Sequence, residues 1–242
     1  MLRIRRAHEI HAVDGGWFSA RWHFSFDHYR DPENMGIGPL RVFNDDRLIP
    51  GAIWPMHPHA DVEGITYVVE GHFRHEDNVG GGGVLEPGAV QRMTLGSGAY
   101  HSEQNASEEE PMRFLQFWIL PAVAGLTPGV EQRQYTSDDF RDVLRKVLDP
   151  DGDDALTVHQ DARVYVSRPS ADIELRHTFT EGRGGYLYLL DGDALLDDEK
   201  IAGGDAAKIE GPHELRIGGG EGAHLILIDV PLAYTPVGTW AR

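Results

Sequence analysis

The 242-residue chain contains no cysteine. That absence removes disulfides, zinc-thiolate sites and thiol nucleophiles, so any metal must be held by histidine and carboxylate. Long apolar runs are missing too. The longest, FLQFWIL from Phe114 to Leu120 and LILI from Leu225 to Ile228, have the length of buried strands and fall well short of a bilayer span. The start, MLRIRRAHEIHAVDGG, has basic residues but neither an apolar h-region nor a small-residue cleavage site, so the expectation is a cytoplasmic protein without a membrane partner. Positive charge is scarce: 22 Lys and Arg stand against 39 Asp and Glu, for a formal net charge of −17. Neutralising phosphates needs the opposite sign, which argues against nucleic acid as a partner.

What is present is an ordinary globular composition, 40% hydrophobic and 25% charged, in a chain long enough for one large all-β domain or two smaller ones. Glycine and proline are spread along the chain, and short apolar runs recur between turn signals. The clearest are Ile65 to Gly71, Phe114 to Leu120, Ala162 to Ser167, Gly185 to Gly192 and His224 to Val230, all rich in β-branched and aromatic residues. Such spacing reads as an all-β sandwich or barrel. One segment departs from it. SDDFRDVLRKVL, Ser137 to Leu148, places Phe140, Val143, Leu144, Val147 and Leu148 at helical spacing behind an N-cap candidate at Ser137 and two first-turn aspartates, so a helix is expected there. The expected organisation is residues 1–125, a helical linker over 126–156, and residues 157–242.

The two flanking blocks resemble each other. GITYVVEGHFRHE from Gly64 lies over GYLYLLDGDALLDD from Gly185, GAVQRMTLG from Gly88 over GPHELRIGG from Gly211, and FLQFWILP from Phe114 over LILIDVPL from Leu225. The offset that matches Tyr67 with Tyr188 puts Thr178 under His57 and Thr180 under His59, while HSEQN, from His101, falls in a gap. A duplicated fold is expected, with metal chemistry in its first half only.

That chemistry is suggested by two short stretches. In HPHADVEG, His57 and His59 are two apart, so both point to one face of an extended strand. In HSEQN, His101 and Glu103 are spaced in the same way. One H-x-H pair is weak evidence; two such pairs in one small barrel point to a first-row transition metal held by three imidazoles and a carboxylate, with positions left for substrate or dioxygen. Glu63 is an orienting partner of a ligand histidine or an acid facing solvent. Trp54, Met56, Phe73 and Met93 are either cavity lining or barrel core.

Gly51 to Gly71 resembles the first cupin motif and Gly96 to Asn105 the second; with His75 to Asp77 and Pro87 to Glu103, the match is to the pirin family of bicupins. Two departures from ordinary cupins, seven residues between Glu63 and Gly71 and no proline before Gly98, are shared with pirins and favour Glu103 over Glu63 as the fourth ligand. The resemblance implies two stacked jelly-roll-like cupin barrels joined by a short helix, with a second barrel lacking ligands. It implies one divalent transition metal on His57, His59, His101 and Glu103. Iron is favoured, and nickel, copper, manganese, cobalt and zinc suit the same donors. It also implies quercetin 2,3-dioxygenase activity on a small flavonol-like aromatic and dioxygen, with Glu103 as catalytic base, in a monomer. The alternatives are a non-catalytic, redox-sensing pirin acting on protein partners and a purely structural metal.

Overall fold

In the computed structural model, which describes residues 1–241, the alternating runs form strands in two seven-stranded and two four-stranded sheets. The first large sheet runs Gly129–Gln134, Ala89–Thr94, Glu63–Glu70, Met112–Ile119, Leu40–Leu48, Phe18–Trp22, His11–Asp14. It faces a small sheet of Ile53–His59, Ala99–Asn105, Phe73–Asp77 and Gly82–Leu85. The second pair repeats the plan. Its large sheet centres on Arg183–Asp191 and His224–Pro231, and its small sheet contains Glu174–Phe179, His213–Gly218, Asp193–Leu196 and Glu199–Ala202. The molecule is a bicupin, all β apart from three short 3-10 turns. No helix among the described residues is long and apolar enough to cross a membrane.

The expected helix over Ser137–Leu148 does not form. Thr136 caps a 3-10 turn over Ser137–Phe140, its backbone N–H and hydroxyl both donating to Asp139 at 2.7 Å. Asp142 then turns the chain in the left-handed region, φ 59°, where its carboxylate accepts the Ser170 N–H at 2.7 Å. Beyond it, Arg145–Asp149 is a strand paired with Arg163–Ser167. The helical spacing was a coincidence of two half-segments: Phe140 packs on Tyr67 and Tyr135, while Val147 and Leu148 enter the same core from a sheet. Tertiary pairing overrides the periodic pattern.

The internal repeat is real: Tyr67 pairs with Leu115 as Tyr188 pairs with Ile226, as overlaid, and only the segment from Gly88 is misplaced. Ala89–Thr94 and Ala206–Glu210 each border their central strand, so these two correspond. His213–Gly218 pairs with Glu174–Phe179 as Ala99–Asn105 pairs with Ile53–His59. HSEQN therefore has a counterpart, not a gap. Thr178 and Thr180 are exposed, one residue out of phase with the inward positions. Those are taken by Phe179, Leu215 and Ile217, which fill the second barrel with apolar side chains.

The barrels stack through the outer faces of their large sheets. Phe43, Tyr67 and Phe117 of one interleave with Tyr186, Tyr188 and Ile226 of the other in a single buried cluster, where each large side chain removed from water contributes about 1.5–3 kcal/mol. The pseudo-equivalent tyrosines reach across in both directions. The Tyr67 hydroxyl meets His224 Nε2 at 2.9 Å, and Tyr188 donates to Asp45 at 2.6 Å. The terminal-side strands also cross over: Leu2–Arg5 joins the second barrel's sheet and Gly129–Gln134 the first's.

Candidate metal centre

In the small sheet of the first barrel His57 lies directly opposite His101, and His59 opposite Ala99, so all three imidazoles project from one face. Their ring centroids are 4.5 to 5.3 Å apart, and one nitrogen from each falls within 4.8 Å of the others. This is the one His, Asp or Glu cluster of that kind among the described residues. A bulge separates the His101 and Glu103 registers, the partner strand using three residues, from His57 to Trp54, for two on the other side. Gly96, in the turn before this strand, has φ +32°, and a Cβ there would sit 1.9 Å from the Leu126 carbonyl oxygen; only glycine fits.

The imidazoles are prepared to bind an ion. The Pro55 carbonyl can only accept, and it lies 2.8 Å from His57 Nδ1, so that nitrogen carries the hydrogen and Nε2 keeps its lone pair. His101 Nε2 is buried with no hydrogen-bond partner. Burial, with the neighbouring imidazoles, lowers His59 to about 4 and His101 to about 3, which keeps both rings neutral at physiological pH. A neutral nitrogen with a free lone pair is what a metal requires.

Glu103 is close to the triad without being part of the nitrogen triangle. Its Oε1 lies 3.7 Å from His101 Nδ1 and accepts a hydrogen bond from Gln116 Nε2. The carboxyl is 4% exposed, and burial pushes it up to about 7. Glu63 takes neither of its expected roles. Odd positions of Glu63–Glu70 face away from the barrel interior, and Glu63 is buried there against Thr94 at 3.2 Å, His159 at 3.3 Å and Arg92 at 3.8 Å.

A cavity of about 390 Å³ opens beside His57, His59 and Glu103. Its walls are aromatic, chiefly Trp22, Phe26, Trp54, Phe114 and Trp118, with Trp118 edge-on to His59 at 4.7 Å. Trp54 thus lines the cavity as one of its two expectations had it. Phe73 and Met93 are core, and Met56 is 49% exposed. Sequence reasoning missed the polar lining, Asn44, Asp46 and Gln116. A signal existed: polar residues at alternate positions of RVFNDDRL and a lone glutamine in FLQFWIL mark inward-facing sites that a purely apolar core would not tolerate.

The family model described as Pirin matches residues 3–119, and that of the quercetinase C-terminal cupin domain matches 147–230. A quercetin 2,3-dioxygenase of Escherichia coli is 34% identical over 233 residues, 96% of this chain and 99% of that protein. A pirin-like protein of Caulobacter vibrioides is 36% identical, covering 91% and 96%. Among solved structures, YhhW of E. coli superposes with a TM-score of 0.92 at 33% identity, covering 97% of this chain and 99% of that one. A second structure, described as bacterial pirin YhhW in complex with nickel(II), gives 0.88 at 34% identity, covering 98% and 100%.

Proposed function

The chain belongs to the pirin family, and on that premise we propose that it is a metal-dependent dioxygenase that opens flavonols such as quercetin. The observation that carries this reading is the convergence of His57, His59 and His101, the first two at the wall of an aromatic cavity that Glu103 also lines. Three imidazoles and a carboxylate are borderline and hard donors, fitting one divalent transition ion. The ligands proposed are His57, His59, His101 and Glu103, the last through the oxygen that Gln116 does not hold. Iron is the ion proposed first; the nickel(II) complex of the E. coli relative supports nickel as a second.

The chemistry the ion supplies when bound is Lewis-acid polarisation of a substrate hydroxyl. The protein does the rest. Trp54 and Trp118 offer flat faces for the fused rings, and exclude water from one side of the site. Glu103, a buried carboxylate beside the triad, takes the hydroxyl proton. Gln116 holds Oε1 while the second oxygen is free to move between ion and proton. Overall, one dioxygen adds to the flavonolate, the heterocycle opens to an ester, and carbon monoxide leaves, which balances the atoms.

A cavity open at His57 and His59 supports turnover over the alternative of a sealed, redox-sensing regulator. The test is aerobic incubation of iron- or nickel-loaded protein with quercetin. The flavonol absorbance should fade with release of carbon monoxide, and His57→Ala and Glu103→Ala should stop it. Fading that persists in either variant, or fails in the loaded wild type, contradicts the proposal.

A further inference from the structure

The strand Leu40–Leu48 contains adjacent aspartates in opposite circumstances. Asp45 faces the seam between the barrels and is satisfied three times, by Arg113 at 2.9 and 2.7 Å and by the Tyr188 hydroxyl at 2.6 Å. Asp46 points to the other face, into the metal cavity, and is 4% exposed. Among the described residues no hydrogen bond or ion pair reaches its carboxyl group. Two residues earlier on the same inward face, Asn44 Oδ1 is fully buried without a partner among the described residues. Gln116, opposite Asn44 on the neighbouring strand, is already committed to Glu103.

A buried acid without a donor is unfavourable, and folds normally satisfy or replace it. Its neighbour Asp45 shows that this strand can satisfy one. Burial and the nearby Glu103 and Asp45 push the Asp46 carboxyl up from the usual carboxylate range, and a carboxyl group can accept from a ligand hydroxyl or, when protonated, donate to a keto oxygen. Asn44 adds an amide. Both groups face a cavity whose other walls are aromatic rings. A planar aromatic with oxygen substituents is the ligand that would satisfy them.

We propose that Asp46, flanked by Asn44, is a substrate-contacting residue: its carboxyl group hydrogen-bonds a keto or hydroxyl oxygen of a planar, oxygenated aromatic ligand bound against the histidine triad. This rests on the flavonol reading and deepens it. The contact selects ligands that present a second oxygen near the one directed to the triad, and disfavours aromatics that have a single one. A purely structural role is the competing explanation and predicts a lower Tm on removal of the carboxyl group, whereas a group kept for a ligand predicts an unchanged or higher one, because replacing a buried acid that has no protein partner by an apolar group of similar size removes a penalty.

The experiment is anaerobic titration of nickel-loaded protein with quercetin, read as quenching of the cavity tryptophans, for the wild type, Asp46→Leu and Asp46→Asn. Asp46→Leu should weaken binding about tenfold or more with unchanged nickel content and an unchanged or higher Tm, while Asp46→Asn, which keeps a donor and an acceptor, should stay within about threefold. Asp46→Leu binding within about twofold of the wild type, or weakened binding accompanied by a lower Tm, overturns the inference and leaves the flavonol reading standing. A wild type that binds no quercetin overturns that reading, and this inference with it.

Discussion

His57 and His101 face each other directly across two antiparallel strands, with ring centroids 4.5 Å apart. The pair links the two sequence motifs, 44 positions apart, into one site, and strand pairing alone is what brings them together. His59 joins because it lies two residues on along the same strand. The second barrel uses the same scaffold, filled with Phe179, Leu215 and Ile217, as a packed support.

The Gln116 side chain lines the cavity and donates to Glu103, its one side-chain hydrogen bond among the described residues. Its loss should leave the fold intact and the carboxylate free to wander. Gln116→Leu is expected to weaken metal affinity about 10- to 100-fold, the usual effect of removing a ligand's orienting partner. Competitive chelator titration measures it; unchanged affinity would remove Gln116 from the site.

Trp118 stands edge-on to His59 and against Trp240 and Phe26. Trp118→Ala removes a binding face, not a reacting group. KM for quercetin should rise about tenfold with kcat little changed, the signature of lost uniform binding. Steady-state kinetics of the loaded enzyme give the split, and a fall confined to kcat would contradict the assignment.

Arg113 ties the barrels together, donating to Asp45, to Asp191 at 2.8 Å and to the Leu190 carbonyl at 3.2 Å. Arg113→Ala leaves the Asp45 carboxylate buried with no counter-charge and only the Tyr188 hydroxyl, and should cost about 3–5 kcal/mol in urea unfolding. The double variant Arg113→Met with Asp45→Leu should recover most of that. If the single variant loses less than about 1 kcal/mol, the seam is not held by this pair.

The pH dependence has a defined sign. Burial, aided by Arg5 and Arg21, holds His23 well below the ordinary histidine range, and burial shifts His224 the same way. In the unfolded chain both imidazoles take up a proton near pH ~6.5. The fold refuses it, so the contribution is intact above that pH and is lost as pH falls toward the lowered native values. Each such group adds a slope of about 1.4 kcal/mol per pH unit. His23→Gln, which can still bond Tyr186, should flatten the fall of stability between pH 6.5 and 5; parallel curves for variant and wild type would contradict this.

Much of the architecture could be read from alternation and turn residues, because a strand's pattern is local. Thus Ile65 to Gly71 and Gly185 to Gly192 are central strands, as their composition implied. What failed depended on partners remote in sequence. Val147 and Leu148 look helical until Arg163–Ser167 pairs with them. The repeat was visible and its central strands were matched, but the segment from Gly88 was set one strand too far along because glycines were matched there and not ladder neighbours. At the site, the paired histidines were legible from their spacing. Asp46 and Gln116 left a weaker signal, a polar residue in an otherwise apolar or alternating strand, and Asp45 beside Asp46 shows why it is ambiguous: the neighbouring acid faces the opposite side.

The central claim is that one barrel of the two holds the metal, through the imidazoles of His57, His59 and His101. Metal analysis of purified, iron- or nickel-loaded protein tests it most directly. The account predicts about one divalent ion per chain in the wild type and in His177→Ala of the second barrel, and less than about a tenth of an ion in His57→Ala and His101→Ala. Full occupancy in either triad variant, or loss of metal from His177→Ala alone, would contradict it.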